Sequence, residues 1–311
     1  MSIPYRATRW QRASQLSDIE NALEEMKRSL ELTQDERWEA SYYQNLVRDK
    51  LKQTLGGFQE SFLTGSYARH TAIAPLNDID IFVVIDEERR HDLVEGEPSQ
   101  CINAVRAAAA DALQRMHRSP IVQRRSVGLK FERADLKIEL VPAFRTNLTE
   151  VFRIADRHSG QWIYSAPNAH SDLSTLANSR SGGFLKPVIK MLKAWKRMHD
   201  IPLKSFHLEV MCYGAMPSPP PSLSVALGMT FRHLRAAIQR PCADPTAVGT
   251  DIDVDLSRED RVAARMALEH AFYAASEALR QEFTCVVESH NRWKDIFGER
   301  YPRDYWRSRR G

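Results

Sequence analysis

The stretch GSYARHTAIAPLNDIDIFVVI, residues 65–85, carries the strongest structural signal in this chain. Its second part, from Ile79 to Ile85, is rich in β-branched and aromatic residues and therefore predicts a strand. Because side chains two apart on a strand point to the same face, Asp78 and Asp80 should lie side by side. Paired carboxylates repel each other unless a cation lies between them, and Mg²⁺ favours such oxygen ligands. A solvated strand end is the alternative interpretation.

Gly65 and Ser66 open the same stretch, and the residues before them suggest a short strand that ends there. Glycine lets the backbone approach a ligand closely, and a helix that begins here would direct unpaired N–H groups toward an anion. Taken alone, a Gly-Ser turn is more often an ordinary loop. The pair becomes informative only together with the two aspartates.

A third carboxylate lies on a second predicted strand, ADLKIELVPAF (134–144). Glu139 would complete a cluster with the two aspartates if the two strands are neighbours in one sheet. Asp135 and Lys137 share its face by the same alternation. On the residues alone, Asp135 therefore stays an alternative to Glu139.

Helices and strands alternate through the rest of the first half. Apolar residues at helical spacing predict long helices over 17–55, and an alanine-rich helix is predicted over about 100–117. A further strand is predicted over 126–131. From about residue 172 the sequence is almost entirely helical, with a long amphipathic helix over about 258–280. The sequence thus predicts an α+β fold, in which a mixed α/β half is followed by a helical half.

Length and composition restrict the function classes. The 311 residues, 43% hydrophobic and 27% charged, are typical of a soluble globular protein with one large domain or two lobes. The net charge of +4, from 44 basic and 40 acidic residues, does not favour a dedicated duplex-DNA binder. No apolar run is long enough to span a membrane, no secretory signal opens the chain, and the scattered cysteines form no zinc-binding pattern. We therefore expect a cytoplasmic protein without zinc.

A second acidic motif is a poor candidate for the same chemistry. Asp251, Asp253 and Asp255 form two further Asp-x-Asp pairs. They lie among turn residues, and the adjacent Gly249-Thr250 leaves no room for an intervening helix. A solvated loop is predicted.

A basic helix is predicted in the second half, in KPVIKMLKAWKRMHD (186–200). Lys186, Lys190, Lys193 and Arg197 recur at intervals of four, three and four, which places four positive charges along one helix face. Like charges at this spacing repel, and a polyanion would relieve the repulsion. A solvated basic face is the alternative.

Joined in order, the Gly-Ser pair, the Asp-x-Asp pair after eleven intervening residues and the later single carboxylate resemble the signature of the polymerase-β nucleotidyltransferase superfamily. Within it, GSYARHTAIAPLNDIDIFVVI and ELVPAF are most similar to the branch of oligoadenylate synthases, cyclic GMP-AMP synthase and the bacterial cGAS/DncV-like nucleotidyltransferases (CD-NTases). In that branch a carboxylate precedes a Pro-Ala-Phe-like stretch by three positions, which favours Glu139 over Asp135. The family usually has aspartate there, one methylene shorter.

The resemblance implies roles for individual residues. Asp78, Asp80 and Glu139 would be catalytic and would bind two Mg²⁺ ions, with Mn²⁺ as a substitute. LKAWKR followed by SFHLE is similar to the family's helix ending Lys-x-Trp and its Ser-aromatic-x-Leu helix start. Lys193 and Ser205 would then hold the β- and γ-phosphates, and Phe206 would stack on a nucleobase. The implied nucleotide-binding residues are Gly65, Ser66, Lys190, Lys193, Ser205 and Phe206.

The resemblance also implies a domain organisation. A nucleotidyltransferase lobe with a long N-terminal helix would cover 1–165. A helical lobe similar to the C-terminal domain of oligoadenylate synthases would cover 166–311, close the nucleotide cleft and end in a basic tail. The active site would lie in the cleft between the two lobes.

The implied activity is condensation of nucleoside triphosphates, ATP included, into a cyclic di- or trinucleotide second messenger, with release of pyrophosphate. The implied context is anti-phage (CBASS) defence. The implied partners are a HORMA-type regulator or a conjugation enzyme acting on the C-terminus, and an effector that binds the product. No nucleic-acid activator is indicated.

Other functions remain open on the sequence. A template-independent transferase that adds nucleotides to RNA or linear oligonucleotides would need an extended basic surface, which the nearly balanced charge does not favour. A transferase that modifies a protein or a drug would use the same core. A catalytically weak nucleotide-binding regulatory module is the non-enzymatic alternative, and the glutamate at position 139 is its only support.

Overall fold

The computed structural model of the protein describes residues 17–113 and 119–302. The chain forms two compact units. The sheet-containing unit is Glu31–Ser179 with Pro241–Asp255, and the helical unit consists of the described parts of Met1–Leu30, Arg180–Arg240 and Leu256–Gly311. The predicted α+β class is confirmed, because a mixed sheet with helices is followed by helices.

The helices are α1 (Asp18–Ser29), α2 (Gln34–Thr54), α3 (Gly65–Ala68), α4 (His91–Glu95), α5 (Pro98–Leu113), α6 (Pro167–Arg180), α7 (Leu185–Met198), α8 (Ser205–Cys212), α9 (Leu223–Ala237), α10 (Arg258–Gln281) and α11 (Val286–Phe297). A short 3-10 helix, Gly298–Arg300, follows α11. Within the described residues, no helix is both long enough and apolar enough to cross a membrane.

The strands of the sheet are β1 (Phe58–Thr64), β2 (Asp78–Ile85), β3 (Ile121–Val122), β4 (Val127–Phe131), β5 (Leu136–Arg145), β6 (Phe152–Asp156) and β7 (Gln161–Ser165). Their order is β1-β2-β5-β4-β3, and β6 pairs with the C-terminal part of β5 and with β7. Strands β2 and β5 are parallel, and the other pairs are antiparallel. The two strands that carry the predicted carboxylates are therefore direct neighbours.

The core of the sheet-containing unit fixes which face of β2 is free for chemistry. Ile79, Ile81 and Val83 are fully or almost fully buried and pack in one cluster with apolar residues of α2 and α5. Phe82 and Val84 point to the opposite face and pack with residues of β5 and β6. By strand alternation, the acidic start of β2 lies on this second face.

The start of α2 also holds the segment that leads into β2. Thr33 and Glu36 form a capping box, in which each side chain accepts a hydrogen bond from the backbone N–H of the other residue. The second carboxylate oxygen of Glu36 accepts from the N–H of Leu76 at 2.7 Å. This contact fixes the chain two residues before Asp78.

Sequence patterns predicted the long elements well and missed the short ones. The strands predicted over 126–131 and 134–144 are β4 and β5, and the helix predicted over 258–280 is α10. The helix predicted over about 100–117 is α5, although residues 114–117 lie outside the described residues. Strands β6 and β7 were not predicted, because polar residues interrupt the apolar pattern of both.

Asp156, at the end of β6, joins segments that are distant in the chain. Its carboxylate is almost fully buried and accepts hydrogen bonds from Arg124 and Arg125, each at 2.9 Å. Arg124 also pairs with Asp255. The acidic segment expected to be a solvated loop is a loop, but it is tied to the sheet-containing unit, and Asp253 is buried.

The division of the chain differs from the predicted halves 1–165 and 166–311. Helix α1 belongs to the helical unit, whereas α6 and the segment 241–255 belong to the sheet-containing unit. The physical reason at α1 is Glu20, whose buried carboxylate accepts hydrogen bonds from the N–H groups of Leu223 and Ser224 at the start of α9. The predicted basic tail falls mostly on 303–311, outside the described residues.

The Glu20 contact predicts a measurable loss of stability. Glu20→Ala leaves two buried N–H groups at the start of α9 without their acceptor, which should lower the free energy of unfolding by about 1–3 kcal/mol. Urea denaturation of purified variants measures this. The control is Glu25→Ala, an exposed position on the same helix, which should stay close to wild type. Equal stability of the two variants would contradict the assigned role of Glu20.

Asp156 predicts a pH dependence of stability. Burial alone would raise the pKa of Asp156, but the hydrogen bonds from Arg124 and Arg125 outweigh it and hold that pKa well below its usual range. A depressed folded-state pKa contributes stability above the unfolded-state pKa of about 3.9 that is lost as the pH falls. Asp156→Asn should therefore be less stable than wild type at pH 7, and the difference should shrink from pH 5 toward pH 2.

Thermal melts at several pH values test this expectation. The control is Asp172→Asn, which removes an exposed carboxylate of α6 in the same unit. A constant difference between Asp156→Asn and wild type at all pH values would show that the charge of Asp156 is not the stabilising feature.

Candidate active site

The parallel pairing of β2 with β5 brings the predicted carboxylates together. In the register of the two strands, Asp78 lies beside Lys137 and Asp80 lies beside Glu139. Paired positions of neighbouring strands point to the same face of the sheet, so Asp78, Asp80 and Glu139 form one acidic group. The condition set by the sequence, that the two strands be neighbours, is met.

Asp135, the alternative to Glu139, is not part of this group. It lies in the turn before β5 with a positive φ of 47°, and its side chain is 84% exposed. It pairs there with Lys130 of β4. The alternation argument placed it on the strand face because the start of β5 could not be located from the sequence.

The environment of Asp80 disfavours its ionised form. Burial raises the pKa of Asp80 to about 6, and the neighbouring Glu139 and Asp78 add to this effect. Arg69 and Lys137 act in the opposite direction but do not cancel it. A carboxylate that is costly to ionise among other carboxylates is stabilised by a nearby cation.

Gly65 is required by its contact with Asp80. Its φ is +67°, a region that side chains disfavour, and a Cβ atom there would lie 1.7 Å from Oδ2 of Asp80. The predicted helix is only the single turn α3. The carbonyl of Ser66 in this turn accepts hydrogen bonds from the N–H groups of Thr71 and Ala72, which follow α3. The Gly-Ser turn therefore lies directly against the carboxylate of Asp80.

Glu139 is held by side chains that the sequence did not indicate. Its Oε1 accepts from Nζ of Lys137 at 2.5 Å, and its Oε2 accepts from Oγ of Ser126 at 3.1 Å. Gln123, with its amide turned to satisfy its neighbours, donates to both oxygens at 3.2 and 3.3 Å and accepts from Lys137 at 2.7 Å. Gln123 and Ser126 were missed because the two-residue strand β3 and its turn into β4 carry no periodic signal.

The donor set fits a hard divalent cation such as Mg²⁺ or Mn²⁺. Asp78 and Asp80 share one face, and burial together with the charges of Glu139 and Asp78 raises the pKa of Asp80. Within the described parts of the chain, however, no three His, Cys, Asp or Glu side chains are arranged to hold a metal ion as they stand. At this site the carboxylate of Glu139 is bound by Lys137 and Ser126.

The basic face predicted in the helical unit is different in detail. Lys190 and Lys193 are 8% and 5% exposed, because α7 is buried along almost its whole length. Lys193 pairs at 2.9 Å with Glu209, which is fully buried on α8. The interpretation as a solvated face is therefore wrong for these two lysines. The role of Glu209 was not predicted.

Ser205 and Phe206 lie at the beginning of α8. Ser205 is exposed, and Phe206 is partly buried. The N-cap residue of α8 is Lys204, with extended backbone, and no side chain caps the helix there.

Comparison with known proteins identifies the family. The profile of the second messenger oligonucleotide or dinucleotide synthetase domain matches residues 18–178, more than half of the chain. The chain belongs to this family of nucleotidyltransferases. The matched region contains all the residues of the acidic group and Gly65.

Relatives and solved structures agree with the family and the fold. The synthetase is 26% identical to a cyclic AMP-AMP-AMP synthase of Acinetobacter sp. strain ATCC 27244 over 83% of this chain and 78% of that protein. It resembles the structure of Vibrio cholerae DncV cyclic AMP-GMP synthase with a linear intermediate, with a TM-score of 0.73, 15% identity and coverage of 92% and 95%. It also resembles CdnC of Escherichia coli MS115-1 in complex with HORMA-deltaN, with a TM-score of 0.72, 17% identity and coverage of 91% and 98%.

The contact of Gly65 with Asp80 predicts the effect of one methyl group. Gly65→Ala forces Asp80 to move and places alanine at a positive φ, at a cost of about 1–2 kcal/mol in the synthetase. Displacing this carboxylate of the candidate site should reduce nucleotidyl transfer on the order of 100-fold. Pyrophosphate release from nucleoside triphosphates measures the transfer.

Gly56→Ala is the matched control for this prediction. Gly56 lies before β1 with nothing within 4 Å of the added Cβ, so this variant should keep wild-type activity. Wild-type turnover in Gly65→Ala would show that the position of Asp80 is not critical.

Proposed function

We propose that the synthetase condenses ribonucleoside triphosphates, ATP among them, into a cyclic di- or trinucleotide in a Mg²⁺-dependent reaction that releases pyrophosphate. The observation that carries the proposal is the register of β2 and β5, which groups Asp78, Asp80 and Glu139 on one face of the sheet. An acidic group of this kind, formed by strands distant in the chain, suits two-metal phosphoryl chemistry.

Asp78, Asp80 and Glu139 are the proposed ligands of two Mg²⁺ ions. Bound Mg²⁺ would neutralise charge on the triphosphate and lower the pKa of the acceptor hydroxyl. The carboxylate of Glu139 is the proposed acceptor for the proton of the attacking 2′- or 3′-hydroxyl. The hydroxyl oxygen attacks the α-phosphorus, the bond to the β-phosphate oxygen breaks, and pyrophosphate leaves.

The Gly65–Ser66 turn is the proposed support for the triphosphate beside Asp80. Its backbone can approach a phosphate closely because Gly65 has no side chain. Lys190, Lys193, Ser205 and Phe206 belong to the helical unit, and their roles in nucleotide binding stay predictions from the family resemblance. The pairing of Lys193 with Glu209 supports a fixed position for that ammonium group.

A cyclic product requires the same transfer to occur more than once. Each condensation releases one pyrophosphate and gives a linear oligonucleotide that keeps a 5′-triphosphate, and ring closure consumes that triphosphate with loss of the last pyrophosphate. The relatives support this sequence of steps, since one is a cyclic AMP-AMP-AMP synthase and DncV has been seen with the linear intermediate 5′ pppA(3′,5′)pG. ATP is proposed as a substrate on the same grounds.

A HORMA-type regulator is a proposed partner, since the similar protein CdnC forms a complex with HORMA-deltaN. A role of the product as a second messenger in anti-phage defence is proposed from the family resemblance. A conjugation enzyme acting on the C-terminus, also expected from the resemblance, would act on residues outside the described part of the chain.

Asp80→Asn tests the proposed chemistry, because it keeps the shape of the side chain and removes its charge. We expect loss of turnover with the fold intact, measured as conversion of labelled ATP, GTP, CTP and UTP in the presence of Mg²⁺. The matched control is Asp135→Asn, which removes the exposed carboxylate in the turn before β5 and should leave turnover unchanged. Full activity of Asp80→Asn would contradict the proposal.

The product distinguishes the proposal from its alternatives. A cyclic oligonucleotide has no terminal phosphate, so the labelled product should be unchanged by alkaline phosphatase. Mass spectrometry should show this product as one species. Phosphatase-sensitive chains of increasing length would instead indicate a template-independent transferase. Chelation of divalent cations with EDTA should abolish product formation, and persistence of the product would exclude the metal-dependent mechanism.

A further inference from the structure

The carboxylate of Glu139 lies in a polar clamp, which we define as Gln123, Ser126 and Lys137. Lys137 contributes the charge, at 2.5 Å from Oε1, and Ser126 donates to Oε2 at 3.1 Å. Gln123 bridges the carboxylate and the ammonium group. This arrangement satisfies Glu139 without any cation from solution.

Gly128 makes room for the clamp. It lies directly opposite Glu139 in the antiparallel pairing of β4 with β5 and is buried. A Cβ atom on Gly128 would lie 3.2 Å from Cε of Lys137 and 3.0 Å from the side-chain amide group of Gln123. The side chains of Lys137 and Gln123 therefore both lie over the bare backbone of β4, and a larger residue there would push them away.

The turn that carries Gln123 and Ser126 is fixed from its other side. Between them, Arg124 and Arg125 donate to the buried carboxylate of Asp156. Within the turn, the N–H of Gln123 donates to the carbonyl of Ser126 at 2.8 Å. The uncharged part of the clamp is thus held rigidly, whereas the ammonium group of Lys137 sits at the end of a flexible side chain that is 37% exposed.

The glutamate at position 139 fits this arrangement. Its Cα is in register with Asp80 on one side and with Gly128 on the other. A side chain one methylene longer than aspartate can bring its carboxylate to Ser126 and Gln123 over β4. The same length lets it swing toward β2 once the bond to Lys137 is released.

We propose that Lys137 is a positioning residue that holds the carboxylate of Glu139 in the clamp and competes with divalent cations for it. This inference rests on the proposed function, because it takes Glu139 to be a ligand of the metal. The bond between Lys137 and Glu139 must open before all three carboxylates can bind one group of cations. Lys137 thereby sets how much divalent cation the acidic group needs.

Electrostatics gives the direction of the effect. A positive charge a few ångströms from the acidic group opposes the binding of a divalent cation and also neutralises Glu139. Replacing Lys137 by methionine keeps most of the apolar stem over Gly128 and removes the charge. The acidic group then becomes more negative, and its affinity for divalent cations should rise.

Titration with Mn²⁺, followed by the electron paramagnetic resonance signal of the free ion, measures this affinity without turnover. In the full-length protein without nucleotide, we expect Lys137→Met to lower the Kd for Mn²⁺ on the order of tenfold. Lys137→Arg keeps the charge and should restore a Kd close to wild type. The Mg²⁺ concentration that gives half-maximal turnover should likewise be lower in Lys137→Met and close to wild type in Lys137→Arg.

Lys130→Met is the matched control. Lys130 is paired with Lys137 across β4 and β5 and points to the same face, but it contacts Asp135 instead of Glu139. The variant therefore removes the same charge from the same face without touching the clamp. Its Kd for Mn²⁺ should stay close to wild type. Metal-free thermal melts of all variants confirm that each is folded.

The outcomes separate this inference from the proposed function. An unchanged or higher Kd for Mn²⁺ in Lys137→Met, or equal effects of Lys137→Met and Lys130→Met, would overturn the role of Lys137. If Asp80→Asn weakens Mn²⁺ binding while Lys137→Met does not strengthen it, only the inference about Lys137 fails. If Asp80→Asn leaves Mn²⁺ binding unchanged, the proposed metal site itself is wrong.

Discussion

The parallel pairing of β2 with β5 is the constraint on which the acidic group depends. Parallel strands cannot be joined by a short turn, so the carboxylates of Asp80 and Glu139 come from segments that are separated by α4, α5 and two further strands. The two carboxylates repel each other, and the apolar face of the sheet, where Ile79 and Ile81 are buried against α2 and α5, stabilises the strands against this repulsion. A stable core on one face of the sheet thus makes it possible to keep a stressed, charged cluster on the other.

Much of this arrangement could be predicted from the sequence, for identifiable reasons. The run after Asp78 is strongly β-branched and was recognisable as a strand, and alternation placed Asp78 and Asp80 on one face. Neighbouring strands could only be assumed, because pairing between distant segments leaves no local pattern. The start of β5 could not be located either, which is why strand alternation alone left Asp135 as an alternative to Glu139, and its turn conformation now excludes it from the strand.

The residues that sequence reasoning missed have a common physical cause. Glu209 and Gln123 act through side-chain contacts with lysines, and such contacts depend on tertiary packing instead of periodicity. A solvated face was the alternative for Lys193 because helical spacing gives the direction of a side chain and says nothing about what covers it. Burying its ammonium group is tolerable only because Glu209 pairs with it, since an unpaired buried charge is very costly.

The network around Asp156 shows how remote segments influence the acidic group. Asp156 holds the turn with Arg124 and Arg125, and that turn carries Gln123 and Ser126 to the carboxylate of Glu139. Arg124 also binds Asp255, so a segment that follows α9 in the chain stabilises a turn beside β4. A rigid turn on one side and a flexible lysine on the other leave Glu139 with one bond that can open easily. The sheet therefore sets the geometry of the group, and the ion pair of Lys137 with Glu139 sets its proposed affinity for a cation.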